Sequence, residues 1–244
     1  MSLLNPLLAP LLAPLLANGG TLLFQGDSIT DAFRKPEELN DAYRLGAGYP
    51  LLIGSLLRAT CGRTDLSIIN RGIAGHNASN LLGRWQRDTL ELRPAVLSLL
   101  IGVNDANQGA HGGFDPLPAF IAAYDRLMVE FTAALPTSTL ILCEPFTLPV
   151  PGVHNEIHRH AAAIRAHVQR TAKSRHAVLV PLQAAFDAVA GDHPEYWIYD
   201  GIHPTAAGHW LIAQTWLATV AGIQLPAARP LTAARLQPGP AVVR

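Results

Sequence analysis

The chain has 244 residues, 49% of them hydrophobic, with 18 basic and 18 acidic side chains and a formal net charge of zero. That length suits one large domain with a sizeable core, and the even charge balance, without a basic cluster, argues against a nucleic-acid partner. Cys61 and Cys143 stand far apart and outside any CxxC or Cys/His metal spacing, so they read as buried free thiols that leave the redox compartment open.

Residues 1–17 contain LLAPLLAPLLA, leucine-rich triplets broken by Pro6, Pro10 and Pro14. The segment is too short and proline-rich to span a bilayer. Its apolar centre is like that of a secretion signal, but no Lys or Arg precedes it. It reads as an extension covering an apolar surface at a subunit contact, which points to a cytoplasmic homo-oligomer; an atypical secretion signal is the alternative. From residue 18 to 223, short apolar runs alternate with longer amphipathic ones, and no interior linker divides them. Strands are expected at 22–25, 66–69, 96–101, 139–143 and 178–180, whose unbroken apolar character suits burial on both faces. Helices are expected at 50–59, 79–91, 116–135, 155–173, 182–189 and 205–220. This alternation argues for a single three-layer α/β/α domain with a parallel sheet and right-handed crossovers. Residues 224–244, rich in proline and alanine, read as an arm rather than a domain.

An open parallel sheet binds its ligands beyond the carboxyl ends of its strands. The first strand runs into Gly26-Asp27-Ser28-Ile29-Thr30, the second into a loop containing Gly75 and His76, and the third into Gly102-Val103-Asn104-Asp105. Asp200-Gly201-Ile202-His203-Pro204 precedes the last helix. Acyl transfer needs a nucleophile, a base, a group to orient the base and donors for the oxyanion. Ser28 is the candidate nucleophile, although a serine there serves equally as a turn or helix cap. His203 is the candidate base, since an imidazole accepts and returns a proton near neutrality. Asp200, three residues earlier, can steer its tautomer. The backbone N–H groups of Ser28 and Gly75 and the side-chain amide of Asn104 are the candidate oxyanion donors. Each piece alone is weak; four at successive strand ends rarely coincide.

GDSIT at 26–30, GIAG ending at Gly75, GVND at 102–105 and DGIHP at 200–204 match, in order, the four motifs of the SGNH (GDSL-like) hydrolases, and the chain resembles that family over about residues 20–222. The resemblance implies a flavodoxin-like five-stranded sheet of order 2-1-3-4-5, a Ser28–His203–Asp200 triad and an oxyanion hole built with Gly75 and Asn104. The longer strings GDSITDAFR, NRGIAGHNASNLLGRW, IGVNDANQ and DGIHPTAAGH are similar to the acetyl xylan esterase and carbohydrate deacetylase branch. The expected activity is therefore serine esterase cleavage of short acyl esters, acetyl above all, on oligosaccharides, without metal or cofactor. A lysophospholipase or thioesterase with the same triad is the alternative, and a silent carbohydrate-binding protein on this fold a third reading.

Other residues carry weaker signals. Asp27 reads first as a brace for the nucleophile turn and joins His76, Trp197 and Tyr199 as a substrate-facing candidate. Trp197 and Tyr199 can either pack the last loop or wall a sugar ring. His154, His158, His160 and His167 lack the HExxH order and read as a solvated helix face. Trp85, at helical spacing with Leu81 and Leu82, reads as core. Arg34, Lys35, Glu37 and Glu38 read as a solvated loop. Neither GxxxxGK[ST] nor GxGxxG occurs, so no nucleotide cradle is supported.

Overall fold

An apolar run without polar alternation is satisfied only between two layers, and the five runs are so placed. The computed structural model describes Leu12, residues 20–61 and residues 65–230. The expectations for the leader and for the end of the C-terminal arm fall outside these residues, except that Leu12 is buried in the core with Leu22 and Phe24. Among the described residues, β1 (Thr21–Gly26), β2 (Ser67–Asn70), β3 (Val96–Leu100), β4 (Thr139–Cys143) and β5 (Val178–Val180) form one parallel sheet of order β2-β1-β3-β4-β5. In register, Phe24 pairs with Asn70 and Ser98, and Gly26 with Leu100, so β1 ends beside the central strand β3 at the rim.

The helices in chain order are α1 (Ser28–Asp31), α2 (Asp41–Leu45), α3 (Tyr49–Cys61), α4 (Ala78–Gly83), α5 (Val103–Gly112), α6 (Leu117–Ala134), α7 (Asn155–Ser174), α8 (Leu182–Ala190) and α9 (Ala206–Trp216). Alternate residues of β1 feed opposite cores, as a period of two requires. Leu22 and Phe24 pack with α3, α8 and α9, whereas Leu23 packs with α4, α6 and α7. Phe24 meets Tyr49 edge to face at 5.6 Å and Trp216 at 6.0 Å, and the Trp216 indole donates to the Ser98 hydroxyl across the layer. Cys143 is buried in the same core. Among the described residues no helix is long and apolar enough to cross a membrane.

Four helices depart from the expected pattern. α1 and α2 are single-turn pieces around the nucleophile segment. α5 occupies VNDANQGAHG, whose glycines and asparagines disfavour helix; packing of Val103 and Ala106 into the two cores holds it. The run expected as one helix over 79–91 is α4 followed by a wider π-helical turn, Gln86–Leu90.

Candidate active site

A strand that must end within contact of its neighbour cannot carry a side chain there. At Gly26 a Cβ would collide with the Leu100 carbonyl and the Thr30 hydroxyl, so glycine alone lets β1 pass closely into α1. Asp27 caps that turn, its Oδ1 accepting the Ile29 N–H at 3.0 Å. Ser28 is the first residue of α1. Its Oγ lies 2.8 Å from His203 Nε2, and His203 Nδ1 lies 2.7 Å from Asp200 Oδ2. Asp200 Oδ1 accepts the backbone N–H groups of Ile202 at 3.0 Å and His203 at 2.7 Å. The DGIHP segment thus folds back on its own carboxylate. Because a carboxylate only accepts, the imidazole turns its Nδ1–H to Asp200 and leaves Nε2 to accept the serine proton.

The electrostatics fit that polarity. Burial works to raise the Asp200 carboxyl, but the hydrogen bonds from His203 and Ile202 outweigh it and hold the group below its ordinary value. Asp27 behaves oppositely. Burial pushes it up to about 7 against the Ile29 N–H bond and the attraction of His203, and the nearby Asp105 charge adds to the rise. Asp105, also buried, is pushed up to about 6 and accepts the Ala78 N–H at 3.1 Å, pinning the start of α4.

The candidate oxyanion donors lie on two elements. Gly75 sits at φ +79° in the loop before α4, with open space where a Cβ would be. Asn104, in the first turn of α5, donates one amide hydrogen to the His76 carbonyl at 3.0 Å, which fixes its orientation. A residue that the sequence reading passed over ties this loop to the nucleophile strand. Arg84, only 7% exposed, donates through Nε to His76 Nδ1 (3.2 Å), through Nη1 to the Gln25 side chain (2.9 Å) and the Arg71 carbonyl (2.8 Å), and through Nη2 to the Gly26 carbonyl (3.0 Å). Its signal was present: an arginine beside Trp85 with an aspartate four residues on, in a chain only 15% charged.

The substrate-facing candidates divide. Tyr199, 57% exposed, stacks on the His203 ring at 5.9 Å and 18°. With Ser28, His203, Phe33 and Ile29 it lines a cavity of about 260 Å³. His76 is half-buried, with its ring engaged by Arg84. Trp197 is a correction: it is buried, packed in the core and edge-on to Tyr196, because its side chain points inward from the loop. Asp27 is another, since its buried carboxylate faces the protein rather than the cavity. The histidines near α7 are not one solvated face. His154 caps the helix, His158 bonds Thr147, His160 is buried, and His167 pairs with Asp125 at 2.8 Å. Trp85 is core, against Phe131. Arg34 is not free in solvent: it pairs with Asp31 at 3.0 Å and donates to the Gly72 carbonyl at 2.8 Å.

Comparison with known proteins finds relatives over most of the chain. Residues 24–211 match the family model described as GDSL-like lipase/acylhydrolase. An acetylxylan esterase of Geobacillus stearothermophilus is 30% identical over 210 residues, covering 82% of this chain and 93% of that protein. A solved structure of the acetylxylan esterase from that organism superposes with a TM-score of 0.72 at 28% identity, over 84% of this chain and 96% of the other. A GDSL-like protein from Parabacteroides merdae gives 0.77 at 32% identity, over 84% and 97%. The chain belongs to the GDSL-like lipase/acylhydrolase family, and it is a carboxylic ester hydrolase of the SGNH fold.

Proposed function

We propose that the protein removes acetyl groups from hydroxylated carbohydrates, xylan-derived oligosaccharides first among them, through an acyl-enzyme on Ser28. His203 Nε2 takes the serine proton as Oγ attacks the ester carbonyl. The oxyanion is met by the N–H groups of Ser28 and Gly75 and by the second amide hydrogen of Asn104. The imidazolium formed at that moment is stabilised by Asp200. It then protonates the alcohol oxygen as the C–O bond breaks, leaving acetyl on Ser28. Water, deprotonated by the same Nε2, repeats the sequence and releases acetate.

The observation that carries this reading is the continuous relay Ser28 Oγ–His203–Asp200, at 2.8 and 2.7 Å. The likeness to an acetylxylan esterase supports the carbohydrate acetyl ester as substrate. Acetate release from acetylated xylo-oligosaccharides, set against other acetylated glycans and a p-nitrophenyl ester chain-length series, tests it. The expected result is preference for acetyl esters of the xylo-oligosaccharides, lost nearly completely in Ser28→Ala at an unchanged melting temperature. Rapid cleavage of long acyl chains with acetate esters untouched would refute it in favour of an amphiphile hydrolase.

A further inference from the structure

Ala32 and Phe33, which follow α1 directly, have φ of 44° and 60°, two successive non-glycine residues in the left-handed region. A bulky aromatic residue is among the least suited to that backbone, and glycine would adopt it without strain. Nor does packing offset the strain, because Phe33 is 89% exposed. A strained backbone bearing an apolar ring that buries almost nothing is a feature that stability does not explain, and such features gather at functional sites. This ring stands on the wall of the cavity that also contains Ser28 and His203. Tyr199, exposed and stacked on the imidazole, lines the same cavity.

We propose that Phe33 and Tyr199 form an aromatic subsite that holds a sugar ring of the alcohol part of the ester. The inference rests on the esterase mechanism above. His203 must return its proton to the leaving alcohol, so the alcohol oxygen lies within hydrogen-bond reach of Nε2. The body of the alcohol then extends over the part of the cavity where Tyr199 covers the imidazole. The two rings come from the two segments that carry nucleophile and base. The C–H faces of a pyranose stack on aromatic rings, while its hydroxyl edge needs polar partners. Asp31 and His209 line the same cavity and supply them. A simple alkyl alcohol is too short to use either feature, so the subsite sets selectivity for the alcohol rather than the rate of acyl transfer.

The test measures kcat/KM on acetylated xylotriose and on ethyl acetate for the parent, Phe33→Gly and Phe33→Tyr, with mass by light scattering and thermal melting. In Phe33→Gly the preference for the sugar ester over ethyl acetate should fall by about three- to tenfold, the range expected for one aromatic contact, chiefly through KM. Its melting temperature should not fall, since glycine relieves the backbone. Phe33→Tyr, which keeps the ring, should hold the parental preference. An active Phe33→Gly enzyme with an unchanged preference would overturn the subsite while leaving the esterase reading intact. A changed molecular mass would overturn it as well, assigning the ring to a contact between copies. A parent inactive on both esters would overturn the esterase reading itself, and this subsite with it.

Discussion

A serine hydroxyl holds its proton too tightly to attack an ester near neutrality, so its reactivity is a property of what surrounds it. Here Ser28 is offered an unprotonated imidazole nitrogen, and that nitrogen is kept free because Asp200 occupies the other one. In the proposed mechanism Asn104 acts later, when charge has moved onto the carbonyl oxygen. Its amide is already oriented by the His76 carbonyl, so no reorganisation is needed at the moment of reaction. Asn104→Ala should therefore lower kcat by roughly a hundred- to a thousandfold, about 3–4 kcal/mol, with the fold intact by circular dichroism. A loss below tenfold would remove Asn104 from the oxyanion hole. At this scale the sequence was informative where chemistry restricts the residue type, since the structure brings the singled-out Ser28, His203 and Asp200 within hydrogen-bonding reach of one another. It was misleading where only orientation matters. Trp197 and Tyr199 are two positions apart, yet one points into the core and the other over the imidazole, which adjacency to Asp200 does not reveal.

Arg84 shows how elements are held together rather than how one atom reacts. It ends α4, bonds the carbonyl at the end of β1 and the carbonyl following β2, and holds the His76 ring in the loop that carries Gly75. Arg84→Ala leaves the carbonyls of Gly26 and Arg71 and the Gln25 oxygen without this donor in a buried setting. Asp88 keeps Arg87 at 2.7 Å and is not stranded. The expected cost is about 2–4 kcal/mol, read as a lower urea midpoint with an unchanged slope, together with a fall in kcat. An unaltered midpoint would show that the network carries no net stability. Strands β1, β3, β4 and β5 were legible because continuous apolar runs have few alternatives. Helix α5 was not, because two cores closing on Val103 and Ala106 impose a conformation that its own glycines and asparagines resist.

Across the whole molecule the neutral formal charge conceals buried groups that titrate against one another. In the folded state Asp27 and Asp105 keep their protons to about 7 and about 6, whereas the unfolded chain releases them near the ordinary aspartate value of 3.8. The folded form therefore binds more protons in that interval, and these two groups reduce stability as pH rises from about 4 to 7. His209 works in the other direction. Burial lowers it to about 4 from 6.5, so the unfolded chain takes up the proton first and stability falls as pH drops through that window. Asp27→Asn keeps the acceptor for the Ile29 N–H and removes the ionisation. Relative to the parent, it should gain on the order of 1–3 kcal/mol between pH 5 and pH 8, followed by chemical denaturation at each pH. A difference that stays flat across the range would show that Asp27 does not titrate there. The order of the sheet belongs to this scale too. The apolar runs announced strands but not their sequence across the sheet, since burial on both faces says nothing about neighbours; the ordered motifs supplied that. The relay itself spans the chain, with the hydroxyl and its imidazole 175 positions apart. A polypeptide leaving the ribosome exposes its alcohol 175 residues before its proton acceptor. Until the closing segment docks, the nascent chain is chemically mute, so the first turnover doubles as a clock for the completion of folding.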